Sequence, residues 1–363
     1  MNEKIKKFDE EIFNLSKSIE KNSLAYINPI NSIEQKEIFF NSLKRHAFDQ
    51  PFFKYEKAAE EKLDQIKTQA LILQAELKNS LIEKVLKNKL ENLLLEIELL
   101  KSANTPKFCN SSKNLYQKPS TKLVKLANEK IKEKTIEEKP TLPPIKAKEL
   151  LEEKMKKINT GFLVSIEDHL SAKASHHAVE KKIKLNKNVL FSEKEIERLF
   201  VHEVQTHVYR YLNGLTQPVK CLAIGSGGEF IRTEEGLAVF NEKKAGVSSA
   251  GQMRTYAGRV LAVDYALKHD FLDTFDYLKN YFSENEAYTI TQRVKRGIPY
   301  SKKGAFTKDY VYFAGLIEIE EFVNKGGSVK ELFYGKISTK ELGMVKKISG
   351  IKEPIFLPKS YLK

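Results

Sequence analysis

Cysteine, arginine and long apolar runs are scarce in this chain of 363 residues, and each scarcity removes a class of protein. Only Cys109 and Cys221 occur, so there is no disulfide framework. Cys109 falls in a polar, linker-like stretch. Cys221 sits beside apolar residues and reads as a small core residue rather than a nucleophile. No segment approaches the ~20 apolar residues of a membrane span. The N-terminus, Met1 to Glu10, leads into no apolar run, so no secretory signal is expected and a cytoplasmic protein is. Arginine is rare in a different way. There are eight arginines against 54 lysines, and seven of the eight fall between Arg198 and Arg296.

What is present begins with 41% hydrophobic residues, enough for a sizeable core in one large or two moderate domains. The formal net charge of +14 would suit an acidic partner. Most of that charge is lysine, which reads as solvated surface. The grouped arginines read differently, because a guanidinium can grip a carboxylate with two parallel hydrogen bonds. Their concentration supports a substrate that carries a carboxylate.

The arginine-rich stretch contains His202-Glu203-x3-His207, followed by Thr233-Glu234-Glu235-Gly236-Leu237-Ala238. Two imidazoles and a later carboxylate can hold one zinc ion, and Glu203 can serve as a general base for a water at that ion. Ser192 and Glu195 form a capping box. Ile196, Leu199, Phe200, Val201, Val204, Val208 and Leu212 then recur at helical spacing, so residues 193 to 212 read as one helix. Asn213-Gly214 reads as its left-handed stop. Residues five apart on a regular helix diverge by about 140°. The two imidazoles meet at one metal only if the helix widens between them, as in a π-bulge. Otherwise they are two surface histidines.

Thr233 reads as an N-cap, with Glu234 and Glu235 at the positive end of a helix dipole. Gly236 is less expected in a helix and makes sense where another backbone or a ligand comes close.

His202-Glu203-x3-His207 with Tyr211-x-Asn213-Gly214, then Glu234-Glu235-Gly236-Leu237-Ala238, resembles the microtubule-associated tyrosine carboxypeptidase family. It also resembles that family's bacterial relatives, named for a Gln-Glu-Gly-Leu-Ala motif and labelled flavohemoglobin expression-modulating. Further matches are Pro29-Ile30-Asn31-x2-Glu34, Pro51-Phe52-Phe53-x-Tyr55, Arg293-Val294-x-Arg296-Gly297 and Phe306-Thr307-Lys308-Asp309-x2-Tyr312. The resemblance covers roughly residues 24 to 56 and 145 to 340. It implies a zinc metallopeptidase that removes a C-terminal residue, with His202, His207 and Glu235 as ligands and Glu203 as catalytic base. Glu234 stands where the bacterial relatives have Gln and receives no metal role.

Organisation follows from the punctuation. A short helix spans residues 1 to 21, and another lies between Asn28-Pro29 and Gln50-Pro51. Lys57 to Lys101 contains neither proline nor glycine, and Leu63, Ile66, Ala70, Leu73, Leu77, Leu81, Leu90, Leu93, Ile97 and Leu100 form a stripe. A break near Asn79-Ser80 or Asn88 makes this a helical hairpin with an intrachain seam. Residues 102 to 144 carry five prolines among Ser, Asn and Lys and read as an irregular linker or crossing segment. Strands are expected at 162 to 166 and 178 to 185. His176 and His177 between them read as polar loop or strand residues, and His46, His169 and His269 lack partners at ligand spacing. The Gly225-Ser226-Gly227-Gly228 stretch lacks a phosphate-loop ending and reads as a turn. From about 233 the chain is mostly helical.

The expected fold is therefore α+β and mostly helical. A zincin-like catalytic domain (145–363), with a small sheet before the metal helix, follows an N-terminal helical region (1–101) and the linker (102–144). The expected function is a zinc-dependent metallocarboxypeptidase with one zinc per chain. Its substrate is a peptide or protein C-terminus, with tyrosine favoured by the resemblance. Tyr312 is a candidate oxyanion donor, and Arg254, Arg259, Arg293, Arg296 and Lys308 are the pool for binding the substrate carboxylate. Two alternatives stand beside it. One is a basic, non-enzymatic module for acidic tails or nucleic acid, which the aromatic pattern does not favour. The other is a zinc endopeptidase or amidase.

Overall fold

The computed structural model describes residues 2–20, 25–47, 49–135, 139–168, 170, 172–225 and 227–361. His169 and Ser226 lie outside them. Among the described residues no helix is long and apolar enough to cross a membrane.

Helices α1 (Glu3–Glu20), α2 (Ser32–Lys44), α3 (Glu60–Glu76) and α4 (Leu81–Lys101) open the chain. The proline- and glycine-free run breaks at 77–80, where Ser80 and Glu83 form a capping box that starts α4. Leu63, Ile66, Ala70, Leu73, Leu77, Leu90, Leu93, Ile97 and Leu100 are all buried, so the stripe is an intrachain seam. Leu81 is the exception and lies exposed at the break.

The stretch 102–144, expected to be irregular, contains α5 (Phe108–Tyr116) and α6 (Thr121–Lys130). The prolines do not prevent this. Pro106 and Pro119 fall just before the helix starts, and Ser120 caps α6 by accepting from the Leu123 N–H at 3.2 Å. Helix α7 (Pro144–Lys156) then leads to a three-stranded sheet. Its strands are β1 (Leu163–Glu167), β2 (Ala174–His177) and β3 (Lys182–Asn186), in the order β1-β3-β2. β1 runs parallel to β3 and β2 antiparallel to it. The second expected strand survives as β3, since residues 178–181 form a turn, and an unexpected strand, β2, precedes it, with His176 and His177 on it at a sheet edge.

The site helix is continuous but not uniform. Helix α8 (Glu193–Leu199) passes into a π-helix at Phe200–Val208 and then into α9 (Tyr209–Leu215). The expected stop at Asn213-Gly214 does not occur. A Cβ at Gly214 would lie 2.4 Å from the Ala223 Cα, so the glycine admits a neighbouring backbone. Asn213 instead ties down the C-terminal segment: its Oδ1 accepts from the N–H groups of Ile355 and Phe356, and its Nδ2 donates to the Phe356 carbonyl.

The longer helices that follow are α10 (Gly227–Lys244), α11 (Ala250–Ala266), α12 (Phe271–Lys279), α13 (Glu284–Lys295) and α14 (Val311–Asn324). α10 starts six residues earlier than Thr233, so Thr233 is no N-cap. Its hydroxyl donates to Glu318 Oε1 on α14 at 2.9 Å. Gly227 and Gly228 open α10 because Asn92 and the Leu115 carbonyl press against them. A Cβ at Gly236 would lie 2.1 Å from the carbonyl carbon of Gly315. α10 and α14 therefore cross backbone to backbone, which is the close approach Gly236 required.

Candidate metal centre

The five-residue spacing is resolved by the π-helix. Its wider turn adds roughly one residue, so five residues complete about one turn and the two histidines share a face. The wide turn is held by its own side chains. Thr206 donates to the Val201 carbonyl at 3.0 Å, five residues back. Asn241 donates to the Thr206 hydroxyl at 2.8 Å and accepts in turn from Tyr361.

His202 and His207 are buried, with ring centroids 4.8 Å apart. Nε2 of His202 lies 3.4 Å from Glu235 Oε2, and Nε2 of His207 lies 3.7 Å from the same oxygen. A tetrahedral ion with bonds of about 2.0–2.2 Å puts its donors about 3.3–3.6 Å apart, so these three atoms can hold one zinc. Glu235 Oε2 is buried without a hydrogen-bond partner among the described residues. An orphaned buried carboxylate oxygen facing two imidazole nitrogens fits a cation, and no lysine or arginine of the described residues pairs with it.

The other ring nitrogens point to carboxylates. His202 Nδ1 meets Glu242 Oε1 at 2.6 Å, and His207 Nδ1 meets Glu234 Oε1 at 2.8 Å. Each carboxylate accepts the Nδ1 proton, which leaves Nε2 as a lone pair for a metal. Burial opposes charge on His202, but Glu235 and Glu242 outweigh it and lift its pKa to about 10. Without a metal, the acidic surroundings would draw a proton instead.

These carboxylates are themselves pinned. Glu242 accepts from Arg198 at 3.1 Å. Glu234 accepts from Arg210 and, at 2.6 Å, from Lys336. Arg210 is fully buried and also donates to the carbonyls of Leu332, Gly335 and Ile337. Lys89 of α4 donates to the Lys336 carbonyl at 3.1 Å. Two buried cations thus fix the segment that brings Lys336 to the site.

Glu203 is buried beside the two histidines, facing the sheet edge. Its Oε2 accepts from the His176 main-chain N–H at 3.0 Å and lies 3.5 Å from His176 Nδ1. Burial would raise its pKa, but His176, His202 and His207 hold it down at about 2. It is an ionised carboxylate, as a base must be. The His176 ring stacks on His207 at 4.5 Å. Burial and the adjacent Lys336 push the pKa of His176 down to about 3, so the ring is neutral.

A basic cluster adjoins this acidic centre. Asp309 accepts from both Arg293 and Arg296, the latter at 3.2 Å. Despite burial, these arginines hold Asp309 far below the usual carboxylate range. Arg296 also donates to Asn28 Oδ1 at 3.0 Å, while the following Gly297 N–H donates to the Tyr55 hydroxyl at 2.9 Å. Asn31 binds the backbone of Phe52 and Lys54. The flanking motifs near residues 28–55 thus build one wall behind Arg296. Arg259 lies beside the stacked rings of Tyr256 and Tyr312, at 5.4 and 4.9 Å, and no carboxylate of the described residues pairs with it. Its Nε is buried without a hydrogen-bond partner among them. Burial and neighbouring Arg293 lower its pKa. Burial also lowers the pKa of half-buried Lys308, against the pull of nearby Glu235.

Of the expected site residues, His202, His207, Glu235 and Glu203 come together. Tyr312 stands beside them, its ring 6.5 Å from that of His202. Arg259, Arg293, Arg296 and Lys308 gather around Asp309 and Tyr312. Arg254 does not belong to this pool. Its Nε donates to the Ile131 carbonyl at 2.9 Å, another guanidinium nitrogen donates to the Tyr281 carbonyl, and the group stacks on Phe282. Being arginine between 198 and 296 was not a sufficient criterion. Sequence reasoning missed Glu242, His176, Lys336 and the orienting role of Glu234. Glu242 was within reach, because it follows Glu235 by seven residues and so lies two turns along the same face of α10.

Compared with known proteins, residues 37–363 match the family model described as microtubule-associated tyrosine carboxypeptidase. A search of curated proteins returns no significant match.

Proposed function

The chain belongs to the microtubule-associated tyrosine carboxypeptidase family, and from that premise we propose that it is a zinc-dependent metallocarboxypeptidase with a zincin-like catalytic fold. The observation that carries this reading is the convergence of His202 Nε2, His207 Nε2 and Glu235 Oε2, with both Nδ1 atoms held by buried carboxylates. Three protein donors leave a fourth position open, as catalytic zinc sites do.

Zinc in this site would polarise both a water molecule and the scissile carbonyl. Glu203 takes the proton of the attacking water and delivers it to the departing amine. Tyr312, on the far side of His202, is the candidate donor to the developing oxyanion. Arg259 is the candidate clamp for the substrate's C-terminal carboxylate, since its side chain is half-buried, cationic and without an acid partner among the described residues. Arg293 and Arg296 share Asp309 and support the cluster's charge, with Lys308 beside them. A C-terminal tyrosine is the proposed last residue, on the strength of the family.

The test pairs metal content with a peptide panel. Purified, unchelated protein should carry one zinc per chain and should release the last residue of peptides with free C-termini. Equal cleavage of C-terminally amidated peptides would replace this reading with an endopeptidase, and protein without stoichiometric metal would leave the basic binding module.

A further inference from the structure

His176 belongs to none of the roles above, yet it touches three members of the site. Its main-chain N–H and its Nδ1 both face Glu203 Oε2, at 3.0 and 3.5 Å. Its ring stacks on His207. Its Nε2 lies 3.1 Å from Lys336 Nζ, which also donates to Glu234 Oε1. His176, His207 and Glu234 are close enough to suggest a second metal site. Lys336 already places a cation between His176 and Glu234, so the group is not an open ligand set.

An ammonium has only protons to give, so His176 Nε2 must accept. A neutral imidazole that accepts at Nε2 carries its proton on Nδ1, and Nδ1 is the nitrogen that faces Glu203. We propose that His176 is a positioning residue for the Glu203 carboxylate, held by Lys336 in its Nδ1-protonated tautomer. With Oε2 engaged by both the backbone and the ring of residue 176, Oε1 is the oxygen left to take a proton. The edge strand β2 thereby fixes which oxygen of the base works. This rests on the proposed peptidase reading, because it assigns the residue that aims that reading's base.

Two measurements test it on the full-length, zinc-loaded protein. In the first, histidine is labelled with 15N, and the His176 signals are identified by their loss in His176→Asn. The ring should show a protonated Nδ1 and a bare Nε2, and Lys336→Met should shift that distribution. A protonated Nε2 in the parent protein overturns the proposal. In the second, His176→Ala should lower kcat by about 10–100-fold, the usual cost of removing an outer-sphere partner, with KM and zinc content unchanged. His176→Asn, whose side-chain N–H stands near the position of Nδ1, should recover most of the loss. An unchanged kcat in His176→Ala, or a loss confined to zinc content or KM, shows a merely structural residue and overturns the proposal. If the parent protein binds zinc but turns over no peptide, the peptidase reading fails, and the tautomer measurement still decides the His176 geometry on its own.

Discussion

The acidic half of the site and the basic half solve opposite problems. Around the histidines, Glu203, Glu234, Glu235 and Glu242 are buried or nearly so, and Arg198, Arg210 and Lys336 engage only Glu234 and Glu242. Around Tyr312, Arg259, Arg293, Arg296 and Lys308 gather against one acid, Asp309. Unpaired charge inside a protein is costly, so each half is complete only with a visitor of opposite sign. A dication suits the first and a carboxylate the second. On the proposed reading, one peptide C-terminus at a metal would satisfy both together, and neither half alone would specify an exopeptidase.

The comparison can be broken most severely at the base. Glu203→Gln keeps the shape of the acidic half but removes its proton acceptor, so kcat should fall by about 10²–10⁴-fold. Zinc content should not change, and its loss would mean that Glu203 is a ligand. Next in size is Arg259→Ala, which removes the cation of the basic half that has no acid partner among the described residues. Catalytic efficiency on free-carboxylate peptides should fall by roughly 2–4 kcal/mol, the range for losing a charge-paired contact, with metal content intact. An equal fall on amidated peptides would show that Arg259 does not read the carboxylate. Smaller again is Glu242→Gln, which weakens the hold on His202 and should cost about 10–100-fold in zinc affinity by competition titration. Gly236→Ala strikes the crossing that joins the halves, since α10 carries Glu235 and α14 carries Tyr312. Overpacking there should cost about 1–3 kcal/mol of stability, measured by thermal unfolding. Last, Arg254→Ala should leave peptide efficiency unchanged within about twofold, because its contacts are to the Ile131 and Tyr281 carbonyls.

Local rules made the site helix legible. The Ser192 capping box, the apolar stripe and the need for a widened turn all follow from residues within one helix, and the structure contains each. The break before Ser80 was legible for the same reason. Readings failed where a residue answers to a distant partner. Asn213 looks like a helix stop but serves the segment at 355–356. Thr233 looks like a cap but bonds Glu318 on another helix. Lys336 is one lysine among 54, and only the folding of its segment over Arg210 and Lys89 sets it apart. His176 lacks ligand spacing because its partner Glu203 is 27 residues away.

The π-turn has a further consequence that is a matter of counting. It stores roughly one surplus residue in the helix. If that stretch were wound as a regular helix with every residue kept, all that follows would rotate by about 100° and advance by about 1.5 Å. Arg210 would swing off the 332–337 carbonyls and Asn213 off the C-terminal strap. If one residue were deleted instead, the flanks would keep their bearings and the histidines would stand four apart. Five-apart and four-apart histidine pairs are therefore neighbours in chain length, separated by one residue gained or lost, while the parts of the helix on either side stay in register.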